Sequence, residues 1–266
     1  MNMEIRELNA VLSPIRAAIF DFDGTISTLR CGWEAVMEKV MLNRLAPSGL
    51  PAEELLRRIR AYIDESAGIQ TVYQMEWLAE QVRALCGTEP LDAWAYKDEY
   101  NDALLEMVNG RIRRLETGEA DPSGFLVPGS LEYLRLLAQR GVELFIASGT
   151  DDADLQREAE LLGVRGLATQ VKGAPQRQKN CSKEAVIREL TKNGRYRGRE
   201  LLVAGDGKVE IRLGREAGAV TVGLATQELR AQDGFNPKKL LKLREAGADF
   251  IVPDFRPLIG LWTGEE

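Results

Sequence analysis

The chain contains no histidine. That excludes Ser-His-Asp hydrolases, histidine general bases and histidine-rich metal centres. Cysteine is scarce: Cys31, Cys86 and Cys181 are widely separated, odd in number and form no C-x-x-C pair. They support neither a zinc site nor a disulfide framework, which points to a reducing, cytoplasmic setting. Positive charge is not in excess, the net charge being −6. This gives no support to binding of nucleic acid or of a membrane surface, both of which favour basic patches. Long apolar runs are missing as well. No stretch approaches the roughly 18 apolar residues of a membrane helix, and the acidic start, with Glu4 and Glu7, has no signal-peptide run. A soluble protein is expected, whose hydrolytic chemistry, if any, uses carboxylates, lysines, hydroxyls and a hard metal ion.

What is present is a set of short apolar runs that stop at polar or small residues. Ala17-Ala18-Ile19-Phe20 ends at Asp21, Val142 to Ala147 ends at Ser148-Gly149-Thr150, and Glu200 to Ala204 ends at Gly205-Asp206-Gly207. Ala219 to Gly223 and Ala248 to Val252 read as two more strands. Helical stretches lie between them: Ser130 to Gln139, Asp151 to Leu162, Lys183 to Lys192 after a capping Ser182, Glu210 to Glu216, and Pro237 to Glu245. Alternation of this kind predicts an α/β fold with a Rossmann-like parallel sheet buried on both faces. Its ligands would bind at the edge formed by the C-terminal strand ends. From Ile26 to about Pro128 the pattern changes to amphipathic helices, Trp33–Leu45, Ala52–Glu65, Thr71–Leu85 and Trp94–Leu115. Breakers such as Pro47-Ser48-Gly49 and Gly87 separate them, and Thr117 to Gly124 reads as the return linker. The predicted organisation is therefore a core of residues 1–25 and 128–266 with a helical insert of residues 26–127.

Three strand ends carry chemistry. In Asp21-Phe22-Asp23-Gly24-Thr25, two carboxylates two residues apart can serve as nucleophile and as general acid/base, while Gly24 permits a sharp turn. The plainer alternative is an Asp-Gly turn leading into a helix. Ser148-Gly149 offers a hydroxyl and a flexible N–H to a phosphoryl oxygen, although such pairs often only cap helices. Asp206 and Glu210, one helical turn apart, can face a magnesium ion, which prefers oxygen ligands. Alternatively they are a capping aspartate and a solvated glutamate.

Taken together, these motifs resemble those of the phosphatases of the haloacid dehalogenase superfamily, over roughly residues 16–25 and 128–252 and in the expected order. The resemblance implies that Asp21 forms an aspartyl-phosphate and that Asp23 is the general acid/base, its backbone carbonyl touching the metal. Ser148 and Gly149 would hold the phosphoryl group, Asp206 would ligate Mg2+ directly, and Glu210 would act from the outer shell or through water. It also implies an active-site lysine. Of Lys172, Lys179 and Lys183, the last opens a helix about two dozen residues before Asp206, as the resemblance requires; Lys179 is the second choice. An acid at position 23 suits phosphate-ester cleavage, whereas relatives that cut carbon–halogen or carbon–phosphorus bonds lack it.

The insert is similar to the superfamily's helical (C1-type) cap, which implies closure over a small phosphorylated metabolite. Arg30, Trp33, Gln70, Tyr73 and Gln74 are candidate substrate contacts; alternatively Trp33, Tyr73 and Trp77 belong to the interior of the cap. The stretch from Val203 to Gly223 and the tail Ala246 to Phe255 look like phosphatase modules joined to sugar kinases, which points towards sugar phosphates. The competing readings are a phosphomutase on the same scaffold and a non-catalytic phosphate-binding module.

Overall fold

The computed structural model describes residues 14–179, 182–228 and 234–263. The acidic N-terminal segment, Cys181 and the middle of the stretch between Gln227 and Pro237 lie outside the described residues. The sheet has six strands: β1 (Ala17–Phe20), β2 (Glu143–Asp151), β3 (Gln170–Ala174), β4 (Leu201–Gly205), β5 (Val220–Leu224) and β6 (Phe250–Val252). They run in the order β3-β2-β1-β4-β5-β6, and every neighbouring pair is parallel.

Because side chains alternate across a strand, each strand feeds two cores. Ala18, Phe20, Leu144, Ile146, Leu202 and Ala204 pack on one face. Against them lie α5 (Ser130–Gln139), α6 (Asp152–Leu161) and α10 (Arg256–Thr263), through residues such as Tyr133, Leu155 and Leu258. Ala17, Ile19, Phe145, Ala147, Leu201 and Val203 point the other way, towards α7 (Ser182–Thr191) and α8 (Lys208–Glu216). Helix α9 (Pro237–Ala246) packs beside α8, Leu243 meeting Ile211 and Ala225. Burial on both faces explains why the strands read as continuous apolar runs.

The register sets the site. Phe20 pairs with Ile146 on one side and with Ala204 on the other. The chain therefore leaves β1 at Asp21 beside the end of β4, while β2 continues past it, and the Asp21 N–H still donates to the Ala204 carbonyl at 2.9 Å.

Between β1 and α5 the chain builds α1 (Trp33–Leu45), α2 (Ala52–Ser66), α3 (Thr71–Gln81) and α4 (Ala93–Glu116). These helices have a hydrophobic cluster of their own, with Met37, Met41, Ile59, Met75, Leu78, Tyr100 and Val108. Trp77 stacks on Tyr62 with ring centroids 4.0 Å apart. The outgoing and returning chains meet at an antiparallel bridge between Ser27 and Leu126, flanked by hydrogen bonds from Thr28 N to the Phe125 carbonyl and from Val127 N to the Ile26 carbonyl.

Two strands depart from the sequence expectation. β3 carries the polar sequence Gln170-Val171-Lys172-Gly173-Ala174 because it is an edge strand, only partly buried. β2 also runs on to Asp151, so Ser148, Gly149 and Thr150 belong to the strand itself.

Candidate active site

A cavity of about 820 Å³ opens where the strand ends face the inserted helices. Asp21 lies at its floor, 6% exposed. Its Oδ1 accepts the Phe22 N–H at 2.8 Å, and its Oδ2 lies 2.9 Å from Lys183 Nζ. Lys183 comes from the first turn of α7 and is itself 4% exposed. The same ammonium donates to Glu210 Oε2 at 2.9 Å, and Glu210 Oε1 accepts the Gly207 N–H at 2.6 Å. Glu210 thus closes the first turn of α8 and grips the lysine, with both oxygens engaged. Lys179, the other lysine weighed from sequence, is on the surface, paired with Glu76.

Asp206 leaves β4 with Oδ1 3.5 Å from the Thr25 hydroxyl that points at it. Asp21, Asp206 and Glu210 each present a carboxylate oxygen, all within 4.8 Å of one another. Burial raises the Asp21 carboxyl well above the usual carboxylate range; Lys183 opposes this, while Glu210 and Asp206 reinforce it. Lys183 meets Asp21 and Glu210, and a second lysine, Lys239, meets Asp206. The all-oxygen donor set suits a hard divalent ion such as magnesium.

Asp23 faces the cavity from the opposite flank. Its Oδ2 accepts the hydroxyls of Ser148 at 3.1 Å and of Thr150 at 2.7 Å, while its Oδ1 is buried without a partner among the described residues. The Ser148 hydroxyl in turn accepts the Thr150 N–H at 3.1 Å. Gly149 lies under the turn before α3: a Cβ there would be 3.6 Å from the Ile69 carbonyl oxygen.

The predicted substrate contacts divide. Arg30 and Trp33 line the cavity. Arg30 is buried and donates to Glu158 (2.6 Å from Nη2, 3.0 Å from Nε) and to Asp154 (3.2 Å), so its fork is occupied by protein carboxylates. Gln74 also reaches the cavity, its Nε2 3.0 Å from the Ser66 hydroxyl. Gln70 and Tyr73 do not line it. Gln70 is buried with its Nε2 towards the Gln178 carbonyl, and Tyr73 is an exposed surface ring beneath Lys179. Both stand at the start of α3, where the Gln70 backbone lies against Gly149 while the Tyr73 ring is on the surface.

Several residues at the site were not singled out from sequence. Thr150 follows directly on Ser148-Gly149 and was legible there as a second hydroxyl. Lys97 and Asn101, one helical turn apart on α4, both hold Asp151 at the end of β2, Asn101 at 2.8 Å. Lys239 pairs with Asp206 and Glu228 from α9. Nothing in the tail's sequence separates that lysine from its neighbours Lys238 and Lys242.

The model of the haloacid dehalogenase-like hydrolases matches residues 15–218. No curated protein matches the sequence significantly. Among solved structures, the chain is similar to a predicted phosphoglycolate phosphatase from Haemophilus somnus 129PT, at a TM-score of 0.59 and 16% identity over 93% of this chain and 98% of that one. It is likewise similar to a β-phosphoglucomutase from Clostridium difficile (TM-score 0.58, 15% identity, 94% and 98% covered). A hydrolase from Pseudomonas syringae follows the same course (TM-score 0.54, 17% identity, 92% and 96% covered). At these identities the likenesses speak for the fold.

Proposed function

The chain belongs to the haloacid dehalogenase-like hydrolases, and from that premise we propose that it is a magnesium-dependent phosphatase of small phosphomonoesters, with sugar phosphates the first class to try. The observation that carries the reading is the pair at the end of β1: Asp21 held against Lys183, and Asp23 held two residues on by two hydroxyls. One carboxylate is placed for attack and the other for proton transfer.

In the proposed reaction an oxygen of Asp21 attacks phosphorus as the bond to the leaving oxygen breaks. Asp23 gives that oxygen its proton, then takes one from the water that hydrolyses the aspartyl-phosphate. Lys183 offsets negative charge on Asp21 and on the phosphoryl group, with Ser148 and Gly149 beside it. Asp21, the Asp23 carbonyl and Asp206 would hold magnesium, with Glu210 behind them. When bound, the ion supplies charge neutralisation for the phosphoryl oxygens. Helices α1–α4 serve as a cap that excludes water, as the contact of the Gly68–Gln70 turn with Gly149 supports. The cavity volume suits a metabolite and not a folded phosphoprotein.

The test is phosphate release from an aryl phosphate with and without magnesium, in the wild type and in Asp21→Asn. The variant should lose at least about 10³-fold in kcat. Full activity in Asp21→Asn would sink the reading. Conversion of a hexose 1-phosphate to its isomer without free phosphate would replace hydrolysis by mutase chemistry.

A further inference from the structure

Lys239 lies half-buried against the candidate magnesium ligand, and the reaction proposed above does not use it. Its Nζ lies 2.6 Å from Asp206 Oδ2, pairs with Glu228 and donates to the Thr226 hydroxyl at 3.0 Å. That hydroxyl donates to the Gly24 carbonyl at 2.8 Å, so the cluster also grips the turn that follows Asp23. The side chains of Lys239, Asp206 and Glu228 are each less than a fifth exposed.

Helix formation gives no reason for this lysine. It stands in the first turn of α9, where the macrodipole disfavours a cation. The turn is fixed without its side chain, since the Asn236 carbonyl oxygen of the side chain accepts the N–H groups of Lys238 and Lys239.

We propose that Lys239 and Glu228 are an opposed pair of positioning residues that set the magnesium affinity of the site through Asp206. The inference rests on the reading of Asp206 as a magnesium ligand. An ammonium on Asp206 Oδ2 holds that carboxylate in place when no metal is bound. It also repels a divalent ion that shares the carboxylate, and so weakens metal binding. Glu228, the other carboxylate partner of the ammonium, offsets its charge and so reduces this repulsion. The two residues therefore act on metal affinity with opposite signs. A lysine that merely propped up the fold would give one sign: loss of either partner would loosen the site and weaken binding.

Calorimetric titration of the full-length protein with magnesium chloride, without substrate, separates these cases. Lys239→Gln is expected to tighten magnesium binding by about tenfold or more, and Glu228→Gln to weaken it by a similar factor. Lys239→Arg keeps the charge and should stay within about twofold of the wild type. Weaker binding in both neutral variants, or no change in either, overturns the proposal, as does a tenfold shift in Lys239→Arg with an unaltered melting curve. If the wild type binds no magnesium, the functional reading of Asp206 falls first and this inference with it. Magnesium binding by the wild type with same-sign effects removes the inference alone.

Discussion

Alanine at position 24 would test whether Asp206 must sit where it does. Gly24 has φ +71°, so any side chain there carries left-handed strain of about 1–2 kcal/mol. The particular cost comes from its neighbour. A Cβ would stand 2.3 Å from Asp206 Oδ2 and 2.9 Å from its Cγ, where ordinary contact begins at 3.4 Å. The carboxylate must therefore withdraw by about 1 Å, a displacement that costs on the order of 10² in rate when it falls on a catalytic group. Gly141 supplies the control: its φ is +78°, and nothing among the described residues lies within 4 Å of its added Cβ. Both alanine variants should melt about 2–8 °C lower than the wild type. Only Gly24→Ala should lose about 100-fold in kcat/KM for an aryl phosphate at saturating magnesium. If Gly24→Ala keeps kcat/KM within about twofold, or Gly141→Ala loses as much, the placement of Asp206 is not what the turn protects.

Two further outcomes follow from buried groups. Burial raises the Glu158 carboxyl to about 7 from an ordinary 4.5, with Arg30 opposing the rise. The folded state therefore holds a proton that the unfolded state has lost, and stability falls as pH rises from 4.5 towards 7. Arg30→Met removes the partner and raises that carboxyl further, so chemical denaturation should show a loss of about 3–5 kcal/mol at pH 8 and a smaller one at pH 6. A loss independent of pH would refute the coupling. Burial also pushes the Cys31 thiol up to about 11, with Glu228 adding to the rise. Iodoacetamide at pH 8 should leave Cys31 unmodified in the native protein and alkylate it after denaturation, as mass spectrometry would read; rapid native labelling would contradict the burial.

Much of the core was legible because its strands are apolar on both faces and stop abruptly. Phe20, Ala147 and Ala204 are the last apolar residues of their runs, so parallel pairing could be expected to bring Asp21, Ser148 and Asp206 to one edge of the sheet; in the register itself Phe20 pairs with Ile146 and Ala204. β3 was not legible, because an edge strand needs few apolar residues and Gln170 and Lys172 break the pattern. Lys183 was distinguishable from Lys179 by its place at a helix start and its spacing before Asp206, and the geometry puts the first on Asp21 and the second on Glu76. The contacts of the inserted helices were the least legible. Gln70 and Tyr73 sit near the right turn, but helical phase decides which side chains face the cavity, and an isolated sequence does not fix where a helix pair rests on the sheet. Lys239 shows the same limit: the helix Pro237–Ala246 can be read, but not that its first turn ends on an aspartate from β4.

The Ser27–Leu126 bridge places the chain's exit from the core and its return to it one residue pair apart. In topological terms, the hundred or so intervening residues hang from the core like a pendant on a two-stranded ribbon. None of them contributes a strand to the sheet. Asp21, Asp23, Ser148, Lys183 and Asp206 thus all come from outside that stretch, while Lys97 and Asn101 of α4 reach from it to Asp151 at the end of β2.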